Sequence, residues 1–228
     1  MNRIDEISAN LEKVNEQIKL AAEKANRSTD EITLIAVTKT FPVSDIEILY
    51  SLGIREFGEN RDQEGSGKVS LLPDDVKWHF QGQIQSNKLK SITSWASCIH
   101  SVDQLKYAQI ISQHSGGKEK PIFIQVSLDK PPQSRSGVNP SDLLELAGAI
   151  SELPGISLQG LMAVAPVNSP AEDAFAELVA IRSDFLRTFP AAKSLSIGMS
   201  GDYQIAIKYG ATHIRIGSSI LGIRSPIA

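Results

Sequence analysis

Ile4, Ile7, Leu11, Val14, Ile18, Ala21 and Ala25 recur at alternating three- and four-residue intervals, with polar or charged residues between them. That spacing puts all seven on one narrow stripe of a helix covering residues 2 to 27. A coiled-coil seam would look similar, but the small residues near the end and the limited length favour packing against the rest of the chain. The pattern then changes. Ile32 to Lys39 is a nearly unbroken apolar run rich in β-branched residues, as expected of a strand buried on both faces. Ser44 to Glu47 is a capping-box pattern opening a helix that ends at Gly53. Further strands are expected at 55–59, 77–82, 98–102 and 121–128. Between them lie helical stretches after Asn60, after Gln85 and from Gln104 to His114. Asn139 then offers an N-cap, with Pro140 at the first helical position. In the last third, strands at 158–164, 195–199 and 213–217 alternate with two helices. One opens at a capping box from Ser169 to Glu172 and carries Ala174, Phe175, Leu178, Ile181 and Phe185 on its apolar face; the other runs from Asp202 to Tyr209. Eight strands alternating with helices, undivided by any linker, indicate an α/β fold. The expectation is a single domain over residues 1–228, a (β/α)8 TIM barrel with an extra N-terminal helix, at the short end of that fold's size range. A doubly wound open sheet is the alternative.

Composition narrows the classes of function. Apolar residues make up 41% of the 228, enough for a substantial core. Lys and Arg total 23 against 26 Asp and Glu, a net charge of −3 that gives no general attraction to nucleic acid or anionic membranes. The single cysteine, Cys98, allows no internal disulfide and no Cys-rich metal framework. The N-terminal residues are charged and lack an apolar signal core, and no apolar run nears the roughly 18 residues of a membrane span. A soluble, cytoplasmic protein is expected.

Barrels of this kind carry their active sites at the C-terminal strand ends, which singles out a few residues. Lys39 closes the first strand. It is either a snorkelling surface lysine or an amine held in a low-dielectric mouth, where desolvation favours the nucleophilic form needed for a Schiff base. The glycine- and serine-rich turns Gly198 to Gly201 and Gly217 to Ser219 close strands seven and eight and open helical turns. Backbone N–H groups in such places receive anions, and phosphate commonly binds there in barrels. Arg215 alternates with Ile214 and Ile216, so it faces the lumen if they face the helices. A buried arginine there needs a partner, either a lumen carboxylate such as Glu59 or a ligand atom. His79 and Gln81 share a face of strand three, and Asn60 is either a helix N-cap or a ligand contact.

The segments Ile35 to Lys39, Phe57 to Asn60, Trp78 to Gln83 with Asn87 and Lys88, Gly198 to Asp202, and Arg215 to Gly217 occur in this order. Together they resemble the pyridoxal-phosphate homeostasis protein family over essentially the whole chain. The resemblance implies a fold-type III pyridoxal 5'-phosphate (PLP) barrel, similar to the N-terminal domain of alanine racemase. It also implies that Lys39 carries PLP as an internal aldimine, that Ser200, Gly201, Gly217 and Ser218 hold the phosphate, and that Arg215 faces the pyridine nitrogen. Asn60 and His79 look like ring-side contacts. The loop from Asp129 to Gly137 departs from the family pattern at Arg135 and at its double proline, which leaves any lid role for it open.

An arginine at the pyridine nitrogen can only donate, so the ring is a weak electron sink, which disfavours transamination and leaves racemisation. Racemisation needs a second base on the opposite ring face. In alanine racemase that tyrosine comes from an added C-terminal domain of the partner subunit, which this sequence does not contain. The four tyrosines, Tyr50, Tyr107, Tyr203 and Tyr209, all fall in expected helices. The leading expectation is a monomeric, non-enzymatic PLP carrier of vitamin B6 homeostasis and amino-acid and keto-acid balance, delivering PLP to apo-enzymes. A weak racemase is the second reading. A cofactor-free Schiff-base aldolase is the third, and the placement of Arg215 counts against it.

Overall fold

The computed structural model describes residues 2–129 and 136–222. Arg135 and the double proline, where the sequence departs from the family pattern, lie outside them. Eight parallel strands close on themselves in sequence order: β1 (Thr33–Val37), β2 (Glu56–Glu59), β3 (Lys77–Phe80), β4 (Cys98–Val102), β5 (Lys120–Gln125), β6 (Ile156–Met162), β7 (Ser194–Met199) and β8 (His213–Ile216). Closure is made by β1 on β8, in a register that sets Ile35 opposite Arg215. That pairing excludes the open doubly wound sheet.

The helices are α1 (Arg3–Lys24), α2 (Val43–Ser51), α3 (Asp62–Val69), α4 (Leu89–Trp95), α5 (Leu105–His114), α6 (Leu143–Ser151), α7 (Ala171–Thr188), α8 (Tyr203–Lys208) and α9 (Ser218–Leu221). The middle of the α1 stripe behaves as its spacing predicts, whereas Ala21 and Ala25 are only half-buried and Ala22 is buried instead. Ile7, Leu11, Val14, Ile18 and Ala22 are buried against α2, α8 and α9, whereas Ile4 at its head is 56% exposed. A capping box between Asn2 and Asp5 opens the helix. The two capping boxes expected from the sequence do not form. Pro42 and Pro170 take the N-cap positions of α2 and α7 without side-chain caps, and Glu172 instead pairs with Lys208. Asn139 holds the N-cap position, without a side-chain cap, of a short 3-10 turn, Pro140–Asp142, that runs into α6.

Burial separates two apolar clusters. The large one lies between the strands and the surrounding helices and includes Ala36, Phe57, Ile99, Leu161, Ile214 and Ile216. A small one, Cys98, Phe123 and Met162 with Val164 packed on it, lies inside the barrel. Barrel interiors are usually filled with Val, Ile and Leu. Here His79, His100, Ser196 and Arg215 are buried beside that small cluster, giving an unusually polar lumen.

Candidate functional site at the barrel mouth

A cavity of about 450 Å³ opens at the C-terminal strand ends. Seven expected site residues line it together: Lys39, Asn60, Ser200, Gly201, Arg215, Gly217 and Ser218. Their partners along the wall include Val37, Phe41, Gln81, Met162 and Val164.

Lys39 is not the last residue of a buried strand. β1 stops at Val37, and the chain turns through Thr38 and Lys39 to Thr40, which has a left-handed φ of 68°. This leaves Lys39 exposed at the rim. The turn is fixed from both sides. Thr38 Oγ1 donates to Glu59 Oε1 at 2.6 Å, and Lys68 Nζ donates to the Thr38 carbonyl at 2.9 Å and to Glu59 Oε1 at 2.7 Å. On the far side the Thr40 N–H donates to Glu64 Oε2 at 2.6 Å. Burial holds the Glu59 carboxyl above its ordinary range despite the Lys68 and Thr38 hydrogen bonds.

Arg215 faces the lumen, with Ile214 and Ile216 in the outer core. Its partner is not Glu59, which Lys68 and Thr38 occupy. Arg215 Nη1 donates to the Ser196 carbonyl at 2.6 Å and to Ser196 Oγ at 2.8 Å, and Nη2 donates to the Ala163 carbonyl at 2.9 Å. With only neutral acceptors in contact, burial pushes the guanidinium down to about 10. Among the described residues these bonds engage three of its five donors, and Arg215 lines the cavity.

The two turns of β7 and β8 meet through Ser200. Its Oγ accepts the N–H groups of Gly217 at 3.2 Å and Ser219 at 3.4 Å. Gly201 has no atom within 4 Å of where a Cβ would lie, so this wall is open. Two buried polar atoms on the wall, Asn60 Oδ1 and Gln81 Nε2, have no hydrogen-bond partner. A cavity with a rim amine, an arginine fork, a glycine-serine cradle and orphaned amide atoms fits a small phosphorylated carbonyl compound carrying further polar groups. Asn60 is not a helix cap, because Arg61 holds that position of α3.

His79 is the expected site residue that the cavity does not include. It alternates onto the same side as Gln81, which follows the end of β3, but two residues separate them by about 6.6 Å along the strand direction. Gln81 reaches the cavity, and His79 lies one layer below, bonded to His100 and Glu56. Gln81 was discernible from its shared face. Ser219 was discernible only as part of its turn.

A second cavity of about 640 Å³ adjoins the first across Gln81, Met162 and Val164, and Tyr107 lines it. None of the four tyrosines lines the cavity of Lys39 among the described residues.

Residues 9–225 match the family model described as alanine racemase, N-terminal domain. A pyridoxal phosphate homeostasis protein of Corynebacterium glutamicum is 41% identical over 212 residues, covering 89% of this chain and 95% of that protein. One from Mycobacterium tuberculosis H37Rv is 34% identical over 250 residues, covering 99% and 96%. The structure of PipY from Synechococcus elongatus PCC7942 with PLP bound superposes with a TM-score of 0.83 at 31% identity, covering 95% of this chain and all of that one. Alanine racemase from Clostridium difficile shares the barrel alone, with a TM-score of 0.76 at 17% identity; this chain spans 58% of it. The chain therefore belongs to the pyridoxal phosphate homeostasis protein family, on the barrel of the alanine racemase N-terminal domain.

Proposed function

We propose that this protein binds PLP in the 450 Å³ cavity and serves as a carrier in PLP homeostasis, without enzymatic turnover. One observation carries the reading: a single cavity brings a rim lysine, a donor-only arginine fork and the β7 and β8 turns together. PLP, when bound, supplies an aldehyde that condenses with a primary amine and a ring that withdraws electrons. Lys39 Nζ is the amine on the rim. The N–H groups around Ser200, Gly201, Gly217 and Ser218 would hold the phosphate, since charge-assisted bonds to backbone amides are stronger than neutral ones. Arg215 would donate to the ring nitrogen, and its lack of an acceptor keeps that nitrogen unprotonated. Asn60 and Gln81 would meet the remaining polar groups of the ring.

The carrier reading is supported by the lining of the cavity that holds Lys39. Racemisation requires a second base within reach of the substrate α-carbon, worth on the order of a hundredfold or more. Among the described residues no tyrosine lines that cavity, and Tyr107 lines the adjoining one.

The purified protein should absorb in the visible range when supplied with PLP, and borohydride reduction should leave the pyridoxyl group on the Lys39 peptide. A label on Lys88 or Lys208 would refute the assignment. Solvent-deuterium exchange at the α-proton of alanine should stay at the level given by free PLP. Exchange far above that level, lost in Lys39→Ala, would establish a racemase, with the adjoining cavity of Tyr107 as the place to seek its second base.

A further inference from the structure

His79, left out of the cavity, is one link in a continuous hydrogen-bond chain through the lumen. Glu56 Oε2 lies 2.6 Å from His79 Nε2, and His79 Nδ1 lies 2.8 Å from His100 Nε2. His100 Nδ1 lies 2.8 Å from Ser196 Oγ, which lies 2.8 Å from Arg215 Nη1. The chain runs from the first residue of β2 to the cavity wall.

With one proton on each ring, the Glu56 end fixes the direction of every bond, because a carboxylate only accepts. A guanidinium only donates, so Ser196 Oγ accepts from Arg215, and with His100 Nδ1 bare the hydroxyl turns its own proton to that nitrogen. His100 then carries its proton on Nε2 and gives it to His79 Nδ1. His79 carries its proton on Nε2 and gives it to the Glu56 carboxylate, which only accepts. The titration of the groups agrees with this order. Burial holds the His100 ring well below its usual range and therefore neutral. Burial raises the Glu56 carboxyl, but the hydrogen bond from His79, together with Lys77, brings it below its usual range, so it stands as an acceptor.

A metal ion is the competing explanation, because ligand atoms of His79, Cys98 and His100 lie within 4.8 Å of one another. The geometry disfavours it. Two nitrogens sharing a tetrahedral zinc at about 2.0 Å stand about 3.3 Å apart, whereas His79 Nδ1 and His100 Nε2 are separated by 2.8 Å, the length of a hydrogen bond.

We propose that Glu56, His79 and His100 are positioning residues for Arg215, acting through the Ser196 hydroxyl to hold the guanidinium with its remaining N–H groups toward the cavity. This rests on the PLP reading only for what Arg215 then touches. With the chain intact, Ser196 Oγ presents one fixed lone pair to Nη1. With His100 unable to accept, the hydroxyl rotates, and one of the three anchors of the fork weakens.

The test joins two readouts that fail separately. In the cofactor-free protein, 15N NMR should show both His79 and His100 protonated at Nε2, and the Arg215 Nη protons as separate, slowly exchanging signals. Nδ1–H or imidazolium forms would overturn the proposal without any variant being made. Ser196→Ala, which removes one oxygen, and His100→Leu should average the Arg215 signals, whereas His100→Gln, which keeps an acceptor, should preserve them. In the PLP-loaded protein the same two disruptive variants should shift the visible band and speed PLP loss about tenfold. The double variant should do no more than either alone. Unchanged Arg215 signals and an unchanged band in Ser196→Ala would sink the proposal. If the wild type takes up no PLP while the NMR responses hold, the chain to Arg215 stands and the cofactor reading falls.

Discussion

Gly82 sits where the chain after β3 passes closest to the site: a Cβ there would lie 1.9 Å from the Asn60 carbonyl oxygen. Backbone cannot give way as a flexible side chain can, so Gly82→Ala must displace Asn60 from the cavity wall. The expected cost is about 1–3 kcal/mol in urea unfolding, in the range of overpacked interiors, together with weakened PLP uptake. Gly67, in α3, is the matched control, because a Cβ there meets nothing within 4 Å. Gly67→Ala should stabilise by about 0.5–1 kcal/mol and leave uptake alone. Equal effects of the two would show that Asn60 is free to move. The same scale shows what single residues disclose in sequence. Alternation told which face Arg215 and His79 occupy, since side chains reverse at every residue. It could not tell depth along the strand, so it did not separate the buried layer of His79 from the cavity layer of Gln81. Nor could it foresee that carbonyls of Ser196 and Ala163, rather than a carboxylate, receive Arg215, because that depends on how β7 and β8 are staggered.

At the level of elements, the loop that carries Lys39 is held by α3 rather than by its own strand. Lys68 and Glu64 reach from that helix to Thr38 and Thr40, and Lys68 neutralises Glu59, whose side chain is fully buried. Removing one member of such a pair leaves a buried charge, at a cost of about 3–5 kcal/mol, whereas removing both is far milder. Lys68→Met should therefore lower the urea midpoint strongly and slow Schiff-base formation at Lys39, and adding Glu59→Gln should recover much of the stability. A double variant as unstable as Lys68→Met would mean that packing, not charge, sets the cost. None of this was visible in the α3 sequence, whose apolar content is low and whose glycines suggest a poor helix. The capping boxes at Ser44 and Ser169 failed for a related reason. Pro42, two residues before Ser44, and Pro170, next to Ser169, already hold the backbone of an N-cap, and local chain geometry settled the start before a side chain could.

For the molecule as a whole, the eight-fold alternation was sufficient to expect a barrel, because apolar runs and helix stripes are properties of local sequence. The polar lumen was not, since it arises only when distant strands close and bring His79, His100 and His213 into one cluster with Phe123. That cluster makes the fold acid-sensitive. Burial pushes His213 down from its ordinary 6.5 to about 4, and holds His100 well below its usual value. The groups facing them are Glu56, Cys98, His79 and Arg215. In the unfolded chain both rings take up a proton at their ordinary value, so through this window the unfolded state binds more protons than the folded one. Stability from the neutral His213 ring is thus fully present above pH 6.5 and is lost progressively as pH falls through about 4. The shift corresponds to about 3 kcal/mol. Urea unfolding at pH 7, 5.5 and 4.5 should show a steep fall for the wild type. His213→Phe keeps an aromatic ring against Phe123 but cannot titrate, so its stability should fall less over the same range. The difference between the two curves isolates His213 from the carboxylates, which titrate in both proteins. Parallel curves would mean that the ring is hydrated enough in the folded protein to charge there as it does in water.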